Sequence, residues 1–269
     1  MKTIMVHIEA DDGQEARLQA AFDLARAFGG HLVCVQVTPY AAYALGESGM
    51  GAFPIMPLIE AQEAVRKAEQ TMIEARLQAE GVSWDWISRD GDAADRLAAT
   101  ARLVDVVVMS SGPFTSNAGI RVGVTGDVTI AAPAPVIAVP PGSRGLAVTG
   151  AALVAWDGSQ EAAVALRAAL PMLRLAESVD ILAVDEAPGE FPAQAAAVYL
   201  SRHGVAAEVI ARVSDSDSIE AVIRAVLAER RSAWLVQGAY GHSRLLESLF
   251  GGVTRGLLGD APVPLVMAH

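Results

Sequence analysis

Residues 236–254 read VQGAYGHSRLLESLFGGVT, and three glycines in this stretch decide how the surrounding chain is interpreted. Gly238 and Gly241 follow a short apolar run, and Gly251 stands ten residues after Gly241, where a short helix is predicted to begin. Glycine lets the backbone approach an anion with its N–H groups turned inward, and a helix N-terminus adds partial positive charge. The spacing Gly-x2-Gly-x9-Gly therefore predicts a phosphate-binding loop at the carboxyl edge of a sheet.

A purely structural interpretation of these glycines stays open. Gly238 can end a strand, Gly241 can serve a turn and Gly251 can begin a helix without any ligand, and two such glycines alone would favour that interpretation. The third glycine, and the strand predicted at residues 261–267, make the pattern more specific.

The composition indicates a globular protein. The chain has 269 residues, of which 52% are hydrophobic, enough to fill the core of one large or two ordinary domains. Its net charge of −11 gives no general attraction to nucleic acid or to anionic membranes, so neither is a predicted partner. The single cysteine, Cys34, lies in an apolar run and is predicted to be a buried hydrophobe in a reducing compartment.

The N-terminus meets an acidic residue too early for a secretory signal, and no apolar run approaches the ~20 residues that span a bilayer. These features predict a cytoplasmic protein without membrane insertion.

Strands and helices are predicted to alternate along the whole chain, as in parallel α/β proteins. The predicted strands are residues 3–8, 31–37, 82–88, 105–109, 135–139, 151–156, 179–184, 206–213, 233–236 and 261–267. The predicted helices are residues 14–28, 58–80, 92–102, 159–175, 192–203, 218–230 and 253–258, with a further short helix before residue 135. Asp92 is the predicted N-cap of its helix. Residues 40–57, rich in Gly, Pro and apolar side chains, are predicted to form a loop.

An internal repeat divides the chain into two halves. Residues 132–137 match residues 261–266 at an offset of 129, and residues 14–16 match residues 160–162 at an offset of 146. The run PPGSRG at residues 140–145 is the most linker-like in the chain. We therefore predict two domains, residues 1–141 and 148–269.

The first half is predicted to have lost the phosphate-binding loop. The offset of 129 aligns Gly238 with Met109, Gly241 with Gly112 and Gly251 with Val122. Two of the three glycines are thus replaced by residues with a Cβ, which would crowd a phosphate. A structural or interface role is predicted for this half.

Both halves resemble the universal stress protein domain. The resemblance implies an α/β fold of two tandem domains of the adenine nucleotide alpha hydrolase-like type, each a five-stranded parallel sheet with helices on both faces. It also implies that the domains pack pairwise, as two single-domain members do when they dimerise, giving an intramolecular pseudo-dimer; a further homodimer is left open.

The resemblance implies an ATP site, with or without Mg²⁺, in the second half. Asp157 would lie near the adenine and ribose, the backbone of Val184 would meet the base edge, and the glycine loop would hold the ribose and phosphates. Asp157 can equally cap the helix that begins near Ser159, and both roles stay open. The candidate nucleotide-binding residues are Asp157, Val184, Gly238, Gly241, Gly251, Gly252 and Val253.

One departure from the family pattern concerns Gly252. Binding members carry Ser or Thr immediately after the last loop glycine, and a lost neutral hydrogen bond of ~1 kcal/mol weakens binding several-fold to tenfold. No catalytic residue or metal site is predicted, and the lack of a Walker lysine argues against fast hydrolysis. Three functions stay open: a nucleotide-binding stress-response regulator, a nucleotide-free interaction protein that uses residues 40–57, and a slow ATP hydrolase.

Overall fold

Ten strands and eight α-helices alternate along the residues that the computed structural model describes, which are 1–38, 55–112, 123–186, 191–240 and 252–269. The strands are β1 (Thr3–Ile8), β2 (His31–Thr38), β3 (Ser83–Asp90), β4 (Val106–Ser110), β5 (Val136–Val139), β6 (Ala152–Ala155), β7 (Val179–Val184), β8 (Glu208–Arg212), β9 (Trp234–Gly238) and β10 (Leu265–Ala268). The helices are α1 (Gln14–Phe28), α2 (Ile55–Glu80), α3 (Ala93–Thr100), α4 (Val124–Ala131), α5 (Gln160–Leu173), α6 (Ala193–Arg202), α7 (Ile219–Arg230) and α8 (Gly252–Gly259). The predicted alternation is confirmed.

The strands form one mostly parallel sheet. Those of the first half pair in the order β3-β2-β1-β4-β5, those of the second half pair in the order β10-β9-β6-β7-β8, and every pair within a half is parallel. The two halves meet where β5 pairs antiparallel with β10. The α/β fold class is confirmed, with two five-stranded sets joined edge to edge.

The seam between the two sets is internally symmetric. Ile137 on β5 lies opposite Val266 on β10, and the two residues are equivalent in the repeat because 137 + 129 = 266. A pseudo-twofold axis therefore passes between them, as in an isologous dimer interface.

Helices cover both faces of the sheet, which explains why the strands are apolar almost throughout. In β1, Ile4, Val6 and Ile8 point into the core under α1, α2, α5 and α6, whereas Met5 points to the opposite face. Helices α3 and α4 cover that face in the first half, and α7 and α8 cover it in the second. Trp84 and Trp86 lie two residues apart on β3 and both pack against the first core.

Several helix starts follow from local sequence. Asp92 caps α3 by accepting a 3.1 Å hydrogen bond from Asp95 N, which confirms that prediction. Helix α2 begins at Ile55, so residues 55–57, predicted as loop, are helical. Proline is tolerated in the first helical turn, where the backbone N–H has no intrahelical partner. The rest of the predicted loop, residues 40–54, lies outside the described residues.

The connection between the halves is anchored on α1. Leu146 N donates a 2.9 Å hydrogen bond to Asp23 Oδ2, and the side chains of Leu146 and Val148 are buried in the core. The linker-like run at residues 140–145 therefore leads directly into packed structure.

Candidate functional site

The candidate site lies at the carboxyl edge of the second five-stranded set. Asp157 follows β6, Val184 ends β7 and Gly238 ends β9, and these strands are neighbours in the order β7-β6-β9. The chain leaves β6 towards β7 on one side and returns as β9 on the other, which opens a crevice at the strand ends, where α/β proteins bind ligands. The structure thus brings three of the predicted site residues to one edge.

The glycine loop is described only at its two ends. Gly252 and Val253 begin α8, while Gly241 and Gly251 lie outside the described residues. The cradle predicted from the three glycines therefore remains a prediction.

Asp157 is not the N-cap of α5. That cap is Ser159, whose Oγ accepts a 3.1 Å hydrogen bond from Ala162 N. Asp157 is exposed, and its Oδ1 accepts a 2.9 Å hydrogen bond from Ser159 N. Within the described ranges Asp157 forms no ion pair, so its carboxylate keeps acceptor capacity at the crevice.

Close packing of α5 against β9 requires glycine at position 238. A Cβ on this residue would lie 2.5 Å from Ala162 N and 2.7 Å from the carbonyl carbon of Glu161. The first turn of α5 thus crosses β9 so closely that only glycine is accommodated there. The structural interpretation of Gly238 therefore holds whether or not a ligand binds.

The strand registers correct the alignment of the two halves at this position. Val136 lies opposite Val107, and its equivalent Leu265 lies opposite Leu235. Leu235 is therefore equivalent to Val107 at an offset of 128, not 129. By the same count Gly238 is equivalent to Ser110, so the predicted pairing with Met109 was wrong by one residue. A gap-free overlay fails here because the second half has one extra residue between β9 and β10.

With the corrected register, the two halves have glycine and serine in exchanged positions at the helix N-cap and on the strand. In the second half, the helix N-cap is Ser159 and the strand residue is Gly238, which closely approaches Glu161 and Ala162 in the first turn of α5. In the first half, the N-cap is Gly13 and the strand residue is Ser110, and a Cβ on Gly13 would lie 2.3 Å from Ser110 Oγ. Each half keeps one glycine at the same helix–strand crossing.

Arg17 fills the corresponding crevice of the first half. Its side chain is 1% exposed, and Nε and Nη2 donate to the carbonyl oxygens of His7 and Glu9 at 2.6 and 2.8 Å. Nη1 donates to both carboxylate oxygens of Asp11, at 3.1 and 3.0 Å, and to Ser110 Oγ. The guanidinium therefore bridges the ends of β1 and β4.

Sequence reasoning missed Arg17, although a signal was present. Arg17 lies on the face of α1 that carries Ala20, Ala21 and Leu24, all of them buried. A charged side chain within an apolar helical stripe is unusual unless it is paired.

The second half has alanine where the first half has Arg17. Arg17 N donates to the carbonyl oxygen of Gly13, and Ala163 N donates to that of Ser159, so both residues occupy the same turn position after the N-cap. The methyl group of Ala163 is too short to bridge the strand ends. The crevice beside Asp157 is therefore not closed from this position.

Near the start of the glycine loop, the buried atoms Gln237 Nε2 and Tyr240 Oη have no hydrogen-bond partner among the residues that the structure describes. Burial raises the pKa of Tyr240 to about 12, and its backbone has a positive φ of 58°. An unpaired buried polar group costs about 1–3 kcal/mol, so a ligand that offers acceptors here would relieve a real cost. This arrangement suits an acceptor-rich group such as a phosphate or ribose.

Other chemistry is sparse in the part of the chain that the structure describes. No group of three or more His, Cys, Asp or Glu side chains there could hold a metal ion. Cys34 is buried, as predicted, and burial raises the pKa of its thiol to about 12. Among the described helices, none combines the length and the apolar character needed to cross a bilayer.

Comparison with known proteins gives a family match and a set of similar folds. A sequence model described as the Universal stress protein family matches residues 1–140, more than half of the chain. The sequence matches no curated protein.

Three solved structures each resemble 99% of the chain. One is a universal stress protein from Archaeoglobus fulgidus DSM 4304, with 17% identity, a TM-score of 0.73 and 95% of that chain covered. A putative universal stress protein from Pseudomonas aeruginosa UCBPP-PA14 has 16% identity, a TM-score of 0.62 and 92% covered. A functionally unknown protein from Pseudomonas aeruginosa PAO1 has 15% identity, a TM-score of 0.61 and 92% covered. At these identities the likeness shows the shared fold.

Proposed function

The chain belongs to the universal stress protein family, and from this premise we propose that its second half binds an adenine nucleotide, ATP, at the carboxyl edge of its sheet. Binding would make the protein a sensor or regulatory module in a stress response. The proposed domains are residues 1–141 and 148–269, with the first completing an intramolecular pair.

One observation carries the proposal: the two halves differ at the residue that closes the crevice. Arg17 plugs the first crevice with hydrogen bonds to strand ends, whereas Ala163 takes its place in the second. Asp157 is consequently exposed without the cation that its counterpart Asp11 has. Hydrogen-bonding groups in the second crevice are thus available to a nucleotide, whereas Arg17 occupies the corresponding groups in the first crevice.

Each residue has a distinct role in this proposal. Asp157 would accept hydrogen bonds from ribose hydroxyls or the adenine amine, and the backbone of Val184 would contact the base edge. The phosphates would lie at the glycine loop and the start of α8, where Gln237 Nε2 and Tyr240 Oη offer unused hydrogen-bonding groups. The loop glycines Gly241 and Gly251 would approach the phosphates through their backbone.

The test is isothermal titration of the whole chain with ATP. We expect a saturable heat for the wild type, a loss of about tenfold in affinity for Asp157→Asn, and no binding for Ala163→Arg, which copies the plug of the first half. Asp11→Asn, the matched change in the first half, should leave the affinity within about twofold of the wild type. Wild-type affinity in Ala163→Arg, or no heat in the wild type, would overturn the proposal.

Substitution of Gly238 is a poor test of the same site. Any Cβ there meets the backbone of α5, so lost binding would report disrupted packing and not a lost contact with nucleotide. Asp157→Asn and Ala163→Arg avoid this because both positions are at least partly exposed.

A nucleotide-free interaction module is the second candidate function. Helix α2 carries two exposed apolar side chains seven residues apart, Val65 and Met72, each 63% exposed. Residues at i and i+7 lie on one helix face, two turns apart, so both side chains are available to one partner. The absence of a heat with ATP, together with loss of a bound protein on Val65→Ser/Met72→Ser, would favour this candidate.

A further inference from the structure

The two outer strands of the sheet carry the same pattern of charges. Residues 85–89 on β3 read Asp-Trp-Ile-Ser-Arg, and residues 208–212 on β8 read Glu-Val-Ile-Ala-Arg. Counting across the paired strands from Val108 and its equivalent Val236 aligns the two patterns residue for residue. Both halves therefore keep an acid, an isoleucine and an arginine at alternate positions of the edge strand.

The outer side of β3 presents peptide groups to which a further strand can bind. This strand ends the sheet, and among the described residues only β2 pairs with it. Gly91 N donates a 3.0 Å hydrogen bond to Thr38 O, and Thr38 lies opposite Asp90. Because peptide groups alternate sides along a strand, those of the odd-numbered residues of β3 point towards β2. The groups that point away from the sheet belong to the even-numbered residues, Trp84, Trp86, Ser88 and Asp90.

The second half uses both charges of the pattern within its own fold. Glu208 Oε1 lies 2.7 Å from Arg230 Nη2, and Arg212 Nη2 lies 3.1 Å from Glu229 Oε1. Both partners belong to the last turn of α7. The strand is also shorter, with five residues in β8 against eight in β3. The edge of the second half is therefore less suited to pairing with another strand.

In the first half the same two charges stay available at the edge. Asp85 and Arg89 flank Ile87 on one face of β3, where Ile87 packs against the core. The Asp85 side chain is 76% exposed and contacts the imidazole of His31 at 3.1 Å. Arg89 is exposed, forms no ion pair within the described ranges, and donates to the carbonyl oxygen of its neighbour Ser88. Both side chains can therefore reach a strand added beside β3.

One antiparallel register of β3 with a second β3 matches these charges. When Ile87 of one copy lies opposite Ile87 of the other, Asp85 lies opposite Arg89 in both directions, because each is two residues from Ile87. Trp86 then lies opposite Ser88, and their outward peptide groups can exchange hydrogen bonds. The next registers that face outward groups with outward groups differ by two residues, and they leave both charges unmatched.

We propose that β3 is a self-association edge, to which a second copy of this chain adds its own β3 in antiparallel orientation about a twofold axis at Ile87. An unpaired strand edge is a template for such addition, and the contact is isologous. Main-chain hydrogen bonds supply the affinity, whereas the Asp85–Arg89 pairs select the register, since exposed ion pairs contribute little and like charges directly opposite disfavour pairing. The association does not depend on the proposed nucleotide binding.

Sedimentation velocity of the whole chain, without nucleotide, tests this proposal over a range of micromolar concentrations. We expect the wild type to show a reversible equilibrium between one and two copies. Asp85→Arg and Arg89→Asp should each weaken the association at least about tenfold, because each places like charges opposite one another across the axis. An equimolar mixture of the two variants should associate about as well as the wild type, since opposite charges then face each other again.

Matched variants on β8 provide the control. Glu208→Arg and Arg212→Asp make the same changes at the equivalent positions of the second half, and each should leave the association within about twofold of the wild type. A wild type that sediments as one copy throughout would overturn the proposal. So would a variant mixture that stays dissociated, or an equal loss of association in the β8 variants. Titration with ATP gives a separate result, so failure of one proposal is distinguishable from failure of the other.

Discussion

Arg17 closes the first-half crevice through hydrogen bonds to main-chain oxygens as much as through its ion pair with Asp11. Arg17 donates to the carbonyl oxygen of His7, which lies within β1, and to that of Glu9, just after the strand. Without Arg17, these two oxygens would need water as their hydrogen-bond partner. His7, whose carbonyl oxygen accepts from Nε, has a side chain that is only 5% exposed. A buried imidazole next to a fixed guanidinium resists protonation, because both burial and the neighbouring charge disfavour a second cation.

This arrangement predicts an acid-sensitive contribution to stability. The pKa of His7 is about 3 in the folded chain, against about 6.5 for an unfolded histidine. Below pH 6.5 the unfolded state binds a proton that the folded state does not, so the free energy of unfolding falls as the pH falls from about 6.5 towards 3. In His7→Gln this contribution is removed. The difference in unfolding free energy between wild type and variant should shrink by about 1.4 kcal/mol per pH unit below 6.

Urea denaturation of both proteins at pH 8, 7, 6, 5 and 4 measures this difference. The values at pH 8 and 7 act as the internal reference, because an unfolded histidine is mostly neutral there. A difference that stays constant down to pH 4 would contradict the buried, neutral state of His7.

At the scale of helices and strands, most of the fold could be predicted and part of the site could not. The alternation of apolar residues and the cap at Asp92 are local signals, and both were read correctly. The contact of Gly238 with α5 and the plug formed by Arg17 are tertiary, since each joins residues from different elements. The one-residue slip at β9 was invisible because the motif that set the offset of 129, residues 132–137 against 261–266, lies on the C-terminal side of the extra residue.

Because α5 crosses β9 so closely, we expect alanine to be tolerated differently at Gly238 and at Gly252. Gly238→Ala should lower the free energy of unfolding by about 1–3 kcal/mol, because its Cβ would meet backbone atoms that cannot move aside easily. Gly252→Ala, the control, adds a Cβ that meets no atom of the described residues within 4 Å and should change stability by no more than about 0.5 kcal/mol. Chemical denaturation of both variants gives the comparison, and equal effects would contradict the close approach.

For the whole molecule, the seam between β5 and β10 decides whether the two halves behave as one unit. Ile137 and Val266 meet across it, and one core cluster continues from α1 of the first half to α5 of the second. Leu146 and Val148, from the connection, belong to the same cluster. Apolar contacts that cross a boundary couple the stabilities of the parts on either side.

Each half carries its own fluorescent reporters, so the coupling can be measured directly. Trp84 and Trp86 report on the first half, and Trp156 and Trp234 report on the second. In proteins that retain only one pair, with the other changed to Phe, the urea unfolding midpoints should coincide, because the shared core makes unfolding cooperative. Ile137→Asp buries an unpaired charge at the seam and should separate the two midpoints. Midpoints that already differ without this substitution would mean that the halves unfold independently and that the seam contributes little to their stability.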